Sequence, residues 1–397
     1  MNPVENPFSP GAGTQPPELA GRDELVRYMD ISLQRVIMSL PSKSVLMVGL
    51  RGVGKTVLLD HLRGRAEELG AQTIRIEAPE RRSLPAMLAP QLRQALYRLS
   101  RNEKAGELAQ RTLKALAGFV KGLKLKYQDI ELSYDIEPEP GLADSGDLEF
   151  DLITLMECAG QAAKSANSAL ILFIDELQYV KEEELASLIS SMHRMSQQRL
   201  PVCMVGAGLP QLRGKMGKAK SYAERLFEFP VIGPLDEESA RLAIYKPLHD
   251  AGVKIEDAAL DLIVKETKAY PYFLQEWGKH SWDVAETSPI RVEDVLFASR
   301  CAIDTLDESF FRVRFDRLTP LERRYLRAMA ELGPLPQRSG DIAELLKRPV
   351  TSLGPTRNNL ISKGMIWSPQ HGDTAFTVPL FDEFMKRVIP GDNWRDE

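Results

Sequence analysis

The sequence predicts an α/β protein in which a parallel β-sheet carries helices on both faces and is followed by an all-helical lid and a winged helix-turn-helix. Three observations predict this architecture. Up to about residue 232, short apolar strand patterns alternate with helical patterns, and this alternation is typical of parallel βαβ units. Residues 235–312 then have helical patterns throughout. Residues 317–390 contain three more helical patterns and a two-stranded ribbon, which are the elements of a winged helix.

The composition is that of a globular protein with more than one domain. At 397 residues the chain is too long for one compact core, so we expect two or three domains. The longest apolar run, at 169–174, is far too short for a membrane span, and the N-terminus shows no secretory signal. Three widely spaced cysteines in apolar contexts are typical of reduced thiols. We therefore expect a cytoplasmic protein with no membrane partner.

The same patterns divide the chain into five segments. Residues 1–20 are rich in Pro and Gly, which is typical of an extended arm. The core of alternating strands and helices is expected over 21–232. The lid is expected over 233–315, the winged helix over 316–390 and a short tail over 391–397.

A glycine-rich loop follows the first strand pattern in the stretch VLMVGLRGVGKTVLLD, residues 45–60. It matches the pattern G-x-x-x-x-G-K-[ST] of loops that bind nucleotide phosphates. The matching residues are Gly49, Leu50, Arg51, Gly52, Val53, Gly54, Lys55 and Thr56. Glycines let successive N–H groups turn toward phosphate oxygens, and the helix that begins near Lys55 points its positive dipole end at them. We expect Lys55 to reach the β- and γ-phosphates as a catalytic group and Thr56 to bind Mg²⁺.

A second apolar run, ALILFIDEL at 169–177, contains two acids near its end. The pattern is typical of a central parallel strand, whose carboxyl end lies at the ligand-binding edge of such sheets. We expect Asp175 to bind Mg²⁺ and Glu176 to position or deprotonate the attacking water. The chain has no N-K-x-D or T-K-x-D stretch of the guanine-binding kind, so ATP is the favoured nucleotide.

Four stretches resemble the AAA+ ATPases, especially the branch that contains the origin-recognition initiators and the STAND-like archaeal ATPases. They are PPELAGRDEL (16–25), the glycine loop, the acidic strand end, and KSYAERLFEF (220–229). The resemblance implies that Gly21 and Arg22 lie near the adenine. It also implies that Arg225 is an arginine finger that reaches the nucleotide of a neighbouring subunit, and hence that the chain assembles with itself. The alternative is a surface arginine paired with Glu224 or Glu228.

Two positions differ from the pattern of that family. The strand PVCMVGAG (201–208) ends in Gly206, Ala207 and Gly208, where most members present a polar sensor residue. The lid stretch AYPYFLQEWG (269–278) has Tyr272 or a neighbour where an arginine is usual. Both differences predict slow hydrolysis, or a nucleotide held as a switch, rather than a processive motor.

The third helix of a DNA-binding winged helix enters the major groove. In this chain its polar residues predict contacts with double-stranded DNA by Thr356, Arg357, Asn359 and Lys363. Residues 317–390 contain 11 Lys and Arg against 7 Asp and Glu, whereas the whole chain has a net charge of −5. A local basic unit in an acidic chain modestly favours DNA. A winged helix that binds protein, or that inhibits its own core, fits equally well.

Two functions therefore remain open at this stage. In the first, a slow ATPase couples its ATP and ADP states to DNA binding or to assembly through the winged helix. In the second, a STAND-like signalling switch closes its winged helix over bound ADP, and its partner is a protein. Both use the same nucleotide site and the same Mg²⁺ ligands.

Overall fold

The computed structural model describes residues 1–78, 82–124, 126–127, 129–130, 136–391 and 394. These residues form two compact units. The first unit comprises residues 1–21, 50–54 and 233–397, and the second comprises 22–49 and 55–232. A strand that the sequence suggests from residue 130 onward lies almost entirely outside the described residues. No helix in the described part of the chain is long and apolar enough to cross a membrane.

Within its described residues, the second unit is built on a five-stranded parallel sheet with the strand order β2-β3-β4-β1-β5. The strands are β1 (Ser44–Val48), β2 (Gln72–Glu77), β3 (Leu170–Asp175), β4 (Val202–Gly208) and β5 (Phe227–Glu228). Strands β1, β3 and β4 are buried along their full length. A strand covered on both faces needs apolar side chains on both sides, which explains the uninterrupted apolar runs in the sequence. The predicted parallel α/β sheet is confirmed.

Helices cover this sheet, and those that follow residue 83 share one apolar core with it. They are α1 (Asp23–Ile37), α2 (Lys55–Glu68), α3 (Leu84–Ser100), α4 (Gly106–Leu123), α5 (Leu148–Ser165), α6 (Glu182–Gln197), α7 (Leu212–Ala219) and α8 (Ala223–Leu226), with a 3₁₀ turn at Leu177–Tyr179. Local signals set several of their ends. The side chain of Asp147 accepts the Phe150 N–H at 2.8 Å and so caps α5. Ser83 caps α3 in the same way.

The lid, in the first unit, is a set of helices with a common apolar core. Its elements are α9 (Glu237–Asp250), α10 (Asp257–Thr267), α11 (Pro271–Val284), α12 (Val292–Thr305), a π-helix at Leu306–Phe311 and α13 (Arg312–Phe315). The N-terminal arm packs against α11 and contains a 3₁₀ helix at Pro3–Glu5. Phe8 is buried beside Gly278, where an added Cβ would lie 2.6 Å from its ring. The arm is therefore held on the lid rather than extended freely.

We call residues 316–391 the C-terminal module. Its elements are α14 (Pro320–Leu332), β6 (Gln337–Arg338), α15 (Ser339–Leu345), α16 (Val350–Ser362), β7 (Ile366–Trp367), β8 (Asp373–Phe376) and α17 (Phe381–Val388). The described strands form an antiparallel sheet in the order β6-β8-β7. Thr319 and Glu322 form a capping box at the start of α14, and Pro320 occupies its first turn, as the LTPLE stretch favours. The short strand β6 and the final helix α17 were not expected from the sequence.

Candidate functional site

The second unit brings the two sequence motifs together at one edge of its sheet. Strands β1 and β3 are parallel and have β4 between them, so both end at the same edge. The Thr56 hydroxyl, which follows β1, donates to Asp175 Oδ2 at the end of β3 with a separation of 2.7 Å. These residues are 119 positions apart in the chain. Their predicted proximity is therefore realised in the fold.

Lys55 is the first residue of α2 and is only 8% exposed. Its ammonium donates to the Gly49 carbonyl at 3.0 Å, and the Gly49 N–H donates to Gly208 O at the end of β4 at 3.1 Å. A buried ammonium is costly unless oxygen atoms solvate it. An anionic ligand such as a phosphate would compensate this charge far better than carbonyl oxygen alone.

Two glycines of the loop have backbone conformations that few other residues adopt. Gly52 has φ +81° and Gly54 has φ +88°, in the left-handed region where a Cβ causes strain. A Cβ added at Gly54 would meet no atom of the described residues within 4 Å. Glycine is thus needed there for backbone conformation, and the space beside it is open to a ligand.

The residues predicted to bind Mg²⁺ fit that ion chemically. Asp175 is 2% exposed, and its Oδ1 accepts the Glu176 N–H at 2.8 Å. The Thr56 hydroxyl and the Asp175 carboxylate offer the hard oxygen ligands that Mg²⁺ prefers. No group of three His, Cys, Asp or Glu residues that could hold a metal occurs in the described part of the chain.

Arg75 is a site residue that the sequence reasoning missed. It lies on β2, and its guanidinium is 3.6 Å from Asp175 Oδ2. The same side chain donates to Asp60 Oδ1 at 2.9 Å and to Ile76 O at 2.8 Å. Its charge balances the nearly buried Asp175 carboxylate. The only available signal was an arginine inside the otherwise apolar strand QTIRIE.

Glu176 lies at the end of β3 in an unusual conformation. Its φ of 53° and ψ of 36° are left-handed, which costs a residue with a Cβ about 1–2 kcal/mol. Such outliers persist where the surrounding structure imposes them, often at functional sites. The Glu176 carboxylate accepts a hydrogen bond from Gln178 Nε2, and Gln178 Oε1 accepts the Leu209 N–H at 3.1 Å. Gln178, which is 9% exposed, was also missed from sequence.

In the first unit, loop residues 50–54 contact the lid and the C-terminal module through backbone atoms. The Tyr272 N–H, at the start of α11, donates to Gly52 O at 3.1 Å. The Arg51 N–H donates to Thr377 O, just after β8, also at 3.1 Å. Both hydrogen bonds attach the middle of the loop to elements that are more than 200 residues away in the chain.

Tyr272 is fixed by more than this one contact. Its ring stacks on Phe310 of the π-helix, with centroids 4.8 Å apart and planes 23° apart. Its hydroxyl donates to Glu276 Oε1 at 2.9 Å. Burial raises the pKa of both Tyr272 and Glu276 above their usual values. Tyr272 is therefore an uncharged side chain whose ring and hydroxyl both have fixed partners in the lid.

The two residues implied to lie near the adenine fall in different units. Gly21, in the first unit, has φ +68°, and an added Cβ would lie 2.7 Å from Ser239 Oγ of α9. It is thus packed against the lid. Arg22, in the second unit, is the residue before α1 and is half-buried. A role in adenine binding stays a prediction for both.

Arg225 lies in α8 at the edge of the sheet where the strands begin. Strand β5 follows it directly, and Phe227 of β5 pairs with Ser44 at the start of β1. The site residues Lys55 and Asp175 lie at the other edge, about 15 Å away for a five-residue strand. The Arg225 side chain is exposed and has no partner among the described residues.

Neither alternative ion pair for Arg225 is present in the described structure. Glu228 is paired with Lys43 instead, at 2.7 Å. An exposed arginine at this edge cannot reach the phosphates of its own chain. A role toward a neighbouring chain stays a prediction.

The four residues expected to contact DNA have different environments. Thr356 is buried at 7% exposure. Arg357 donates to Thr374 Oγ1, Ser368 Oγ and Asp373 O at 2.8–3.0 Å. The Lys363 ammonium donates to Glu322 Oε2 at 2.7 Å and to Arg317 O at 3.0 Å. Thr356 is therefore buried, the polar groups of Arg357 and Lys363 are bonded inside the module, and Asn359 is exposed. Contact with DNA stays a prediction for all four residues.

Comparisons with known families agree with these features. A model described as AAA ATPase domain matches residues 18–205, and a domain of unknown function (DUF8462) matches residues 308–385. No curated protein sequence matches the chain.

Comparisons with solved structures concern the fold. The chain is similar to the Walker-type ATPase PABY2304 of Pyrococcus abyssi at 18% identity and a TM-score of 0.59, covering 96% of this chain and 99% of that chain. The Aeropyrum pernix ORC1 protein in complex with DNA has 16% identity and a TM-score of 0.47, with 94% of both chains covered. The Thermotoga maritima RuvB Holliday junction branch migration motor has 16% identity and a TM-score of 0.44, with 96% and 100% covered. At such identities a likeness concerns fold, not activity.

Proposed function

We propose that the chain, whose residues 18–205 match a model described as AAA ATPase domain, binds ATP with Mg²⁺, hydrolyses it slowly, and uses its nucleotide state to set its lid and C-terminal module. The observation that carries this proposal is the attachment of loop residues Arg51 and Gly52 to Thr377 and Tyr272. A loop that contacts phosphate with some of its amides, and contacts lid and module with its other backbone groups, couples the two.

The nucleotide chemistry follows from the groups at the sheet edge. Lys55 would neutralise charge on the β- and γ-phosphates, and loop amides would orient them. Thr56 and Asp175 would hold Mg²⁺, which would neutralise the developing charge on the phosphate oxygens. Water would attack the γ-phosphorus while its bond to the bridging oxygen breaks and Glu176 accepts the proton. ADP and inorganic phosphate are the products.

Slow turnover is supported by two positions that lack the polar or cationic side chain expected from the resemblance. The end of β4 consists of Gly206, Ala207 and Gly208, and none of these side chains can bind an oxygen. The lid stretch 269–278 has Tyr272 or a neighbour where the resemblance implies an arginine, and the Tyr272 hydroxyl is already bonded to Glu276. A site that stabilises the ground state but adds little in the transition state binds tightly and turns over slowly.

The switch can be tested through the two backbone hydrogen bonds that attach the loop. We expect the Arg51 and Tyr272 amides to exchange slowly with ADP bound, and at least about ten-fold faster with a non-hydrolysable ATP analogue and Mg²⁺. A difference of this size needs only about 1.4 kcal/mol of coupling. The measurement is residue-resolved hydrogen exchange in both nucleotide states.

The Leu235 amide is an internal control for that experiment. It donates to Ala269 O within the lid at 2.9 Å and does not involve the loop, so its exchange should not respond to nucleotide. Equal exchange of Arg51 and Tyr272 in both states would contradict the switch. A uniform change that includes Leu235 would indicate general loosening and would equally count against it.

DNA binding is the second candidate function, favoured by the exposed basic residues Lys347 and Arg348 that precede α16. Asn359, on α16 itself, is exposed as well. We read the module as a winged helix because a three-helix set with an antiparallel ribbon is present in its described residues. On that arrangement a partner would contact α16.

Assembly and DNA binding can be measured together by analytical ultracentrifugation. With ATP and Mg²⁺, Glu176→Gln is expected to form assemblies larger than one chain, whereas Glu176→Gln combined with Arg225→Ala stays at the mass of one chain. Arg111→Ala, which removes another exposed arginine, is the matched control and should leave assembly intact. Assembly that persists without Arg225 would contradict its role as a finger.

Duplex DNA is then added over a series of salt concentrations. A phosphate-contacting module must increase in mass with DNA and lose that binding steeply as salt rises. The switch with a protein partner predicts no gain in mass at any salt concentration. A steep salt response would make DNA binding the output of the nucleotide cycle.

A further inference from the structure

We propose that Gln178 is a positioning residue for Glu176, and that its carboxamide supplies the polar group that the end of β4 lacks. The inference rests on the proposed ATP hydrolysis, in which Glu176 accepts a proton. It goes further by assigning a role to a residue that neither motif contains. Gln178 lies two residues after Glu176, in the 3₁₀ turn Leu177–Tyr179.

Both ends of the Gln178 carboxamide are engaged, and chemistry fixes their orientation. The Leu209 N–H can only donate, so the atom facing it must be Gln178 Oε1, which is 3.1 Å away. The amide nitrogen must then face the Glu176 carboxylate, which can only accept when ionised. One side chain therefore connects the proton acceptor to the residue directly after β4.

Glycine at position 208 leaves the space that this carboxamide occupies. A Cβ added at Gly208 would lie 2.8 Å from Gln178 Oε1 and 2.8 Å from Leu212 Cδ2. Gly208 is absent from the described residues with positive φ, so backbone conformation does not require glycine there. The need is for room. A side chain at the end of β4 and the carboxamide of Gln178 exclude one another.

The turn that carries Gln178 is anchored from the opposite side. Lys215 of α7 donates to Gln178 O at 2.8 Å and also to Val180 O. Lys215 is half-buried, and this burial lowers the pKa of its ammonium. With its backbone fixed in this way, Gln178 can hold the Glu176 carboxylate in one place despite the left-handed backbone of that residue.

Loss of Gln178 should therefore slow turnover and leave nucleotide binding unchanged. Residues that orient a reacting group typically change activity 10- to 100-fold when lost. We expect kcat of Gln178→Ala to fall by about that factor, with KM for ATP and affinity for ADP unchanged. Gln178→Met keeps the volume of the side chain without its hydrogen bonds, so it should disturb the fold less. Its kcat should fall by the same factor.

Gly208→Ala provides an independent way to displace the carboxamide without altering a polar residue. Alone, it should lower kcat nearly as much as Gln178→Ala. Combined with Gln178→Ala, it should add almost nothing, because the group that it displaces is already gone. Such non-additivity is the signature of two changes that act through one contact.

A readout without nucleotide completes the test. The Leu209 amide should exchange hydrogen faster in Gln178→Ala and in Gly208→Ala than in the unmodified protein. Gln198→Ala is the matched control, since Gln198, the residue after α6, also donates to a carboxylate, that of Glu157 on α5 at 2.6 Å. It should leave kcat and Leu209 exchange unchanged.

The outcomes separate this inference from the proposed function. Unchanged kcat in Gln178→Ala and Gln178→Met, in a protein whose unmodified form hydrolyses ATP, would overturn the positioning role alone. Additive effects of the Gly208 and Gln178 substitutions would overturn it as well. An unmodified protein that releases no phosphate would refute the proposed hydrolysis, and Leu209 exchange would still decide whether the carboxamide holds its place.

Discussion

Lys55→Ala is expected to weaken ATP binding by about a hundred-fold or more, which corresponds to about 3 kcal/mol. The ammonium is nearly buried beside Gly49 O, and its partner in the bound state would be a multiply charged phosphate. Removing one member of a buried, hydrogen-bonded charge pair costs about 2–5 kcal/mol. Alanine is the best helix former, so the start of α2 should be preserved.

The measurement is equilibrium binding of a fluorescent ATP analogue, with thermal unfolding recorded in parallel. Lys164→Ala is the matched control because Lys164 is exposed in the last turn of α5, before the strand edge opposite the site. It should bind as the unmodified protein does. Unchanged affinity in Lys55→Ala would refute the assignment of the phosphate site.

Glu176→Gln is expected to bind ATP normally and to lower kcat by about a hundred- to a thousand-fold, within the range of general base catalysis. The substitution keeps shape and hydrogen bonding, since a glutamine oxygen can still accept from Gln178 Nε2. It removes only the basic carboxylate. Thr56 and Asp175 are untouched, so Mg²⁺ and phosphate binding should persist.

Phosphate release under single-turnover conditions, together with ATP affinity, measures this effect. Glu183→Gln is the control, since this carboxylate at the start of α6 is 77% exposed and has no place in the site. It should leave both quantities unchanged. Turnover that survives in Glu176→Gln would mean that another group accepts the proton, and the role of Gln178 would then have no basis.

The central pair of the site could be predicted from sequence because each half has a local cause. A glycine loop between a strand and a helix constrains its own backbone. A fully apolar strand that ends in an acid identifies a central strand with its end at the ligand edge. Parallel pairing then brings Thr56 and Asp175 together whatever the intervening chain does. Only the order of strands had to be supplied by the structure.

Gln178 and Arg75 could not be predicted because their partners come from elsewhere in the fold. The Leu209 N–H, and the space that glycine leaves at position 208, come close to Gln178 only because β4 lies beside β3. Arg75 acquires meaning only once β2 pairs with β3, opposite Phe173. No periodicity or spacing in the sequence records such contacts.

In the C-terminal module, too, the sequence did not reveal the partners of polar side chains. The sequence predicts that polar residues of the third helix contact DNA, but Arg357 of α16 bonds to the ribbon, and Lys363, directly after α16, neutralises Glu322. Hydrogen bonding from Lys363 and from Thr319 outweighs the upward effect of burial and lowers the pKa of Glu322. A polar side chain in sequence does not reveal whether it faces solvent or a neighbouring helix.

The most direct test of the central claim is calorimetric titration of the unmodified protein with ADP and ATP, with and without Mg²⁺. The account predicts one nucleotide bound per chain in the micromolar range or tighter, which is about −8 kcal/mol, and tighter ATP binding when Mg²⁺ is present. No binding heat with either nucleotide and the metal, confirmed by a direct binding assay, would contradict the claim that this loop and these two acids form a nucleotide site.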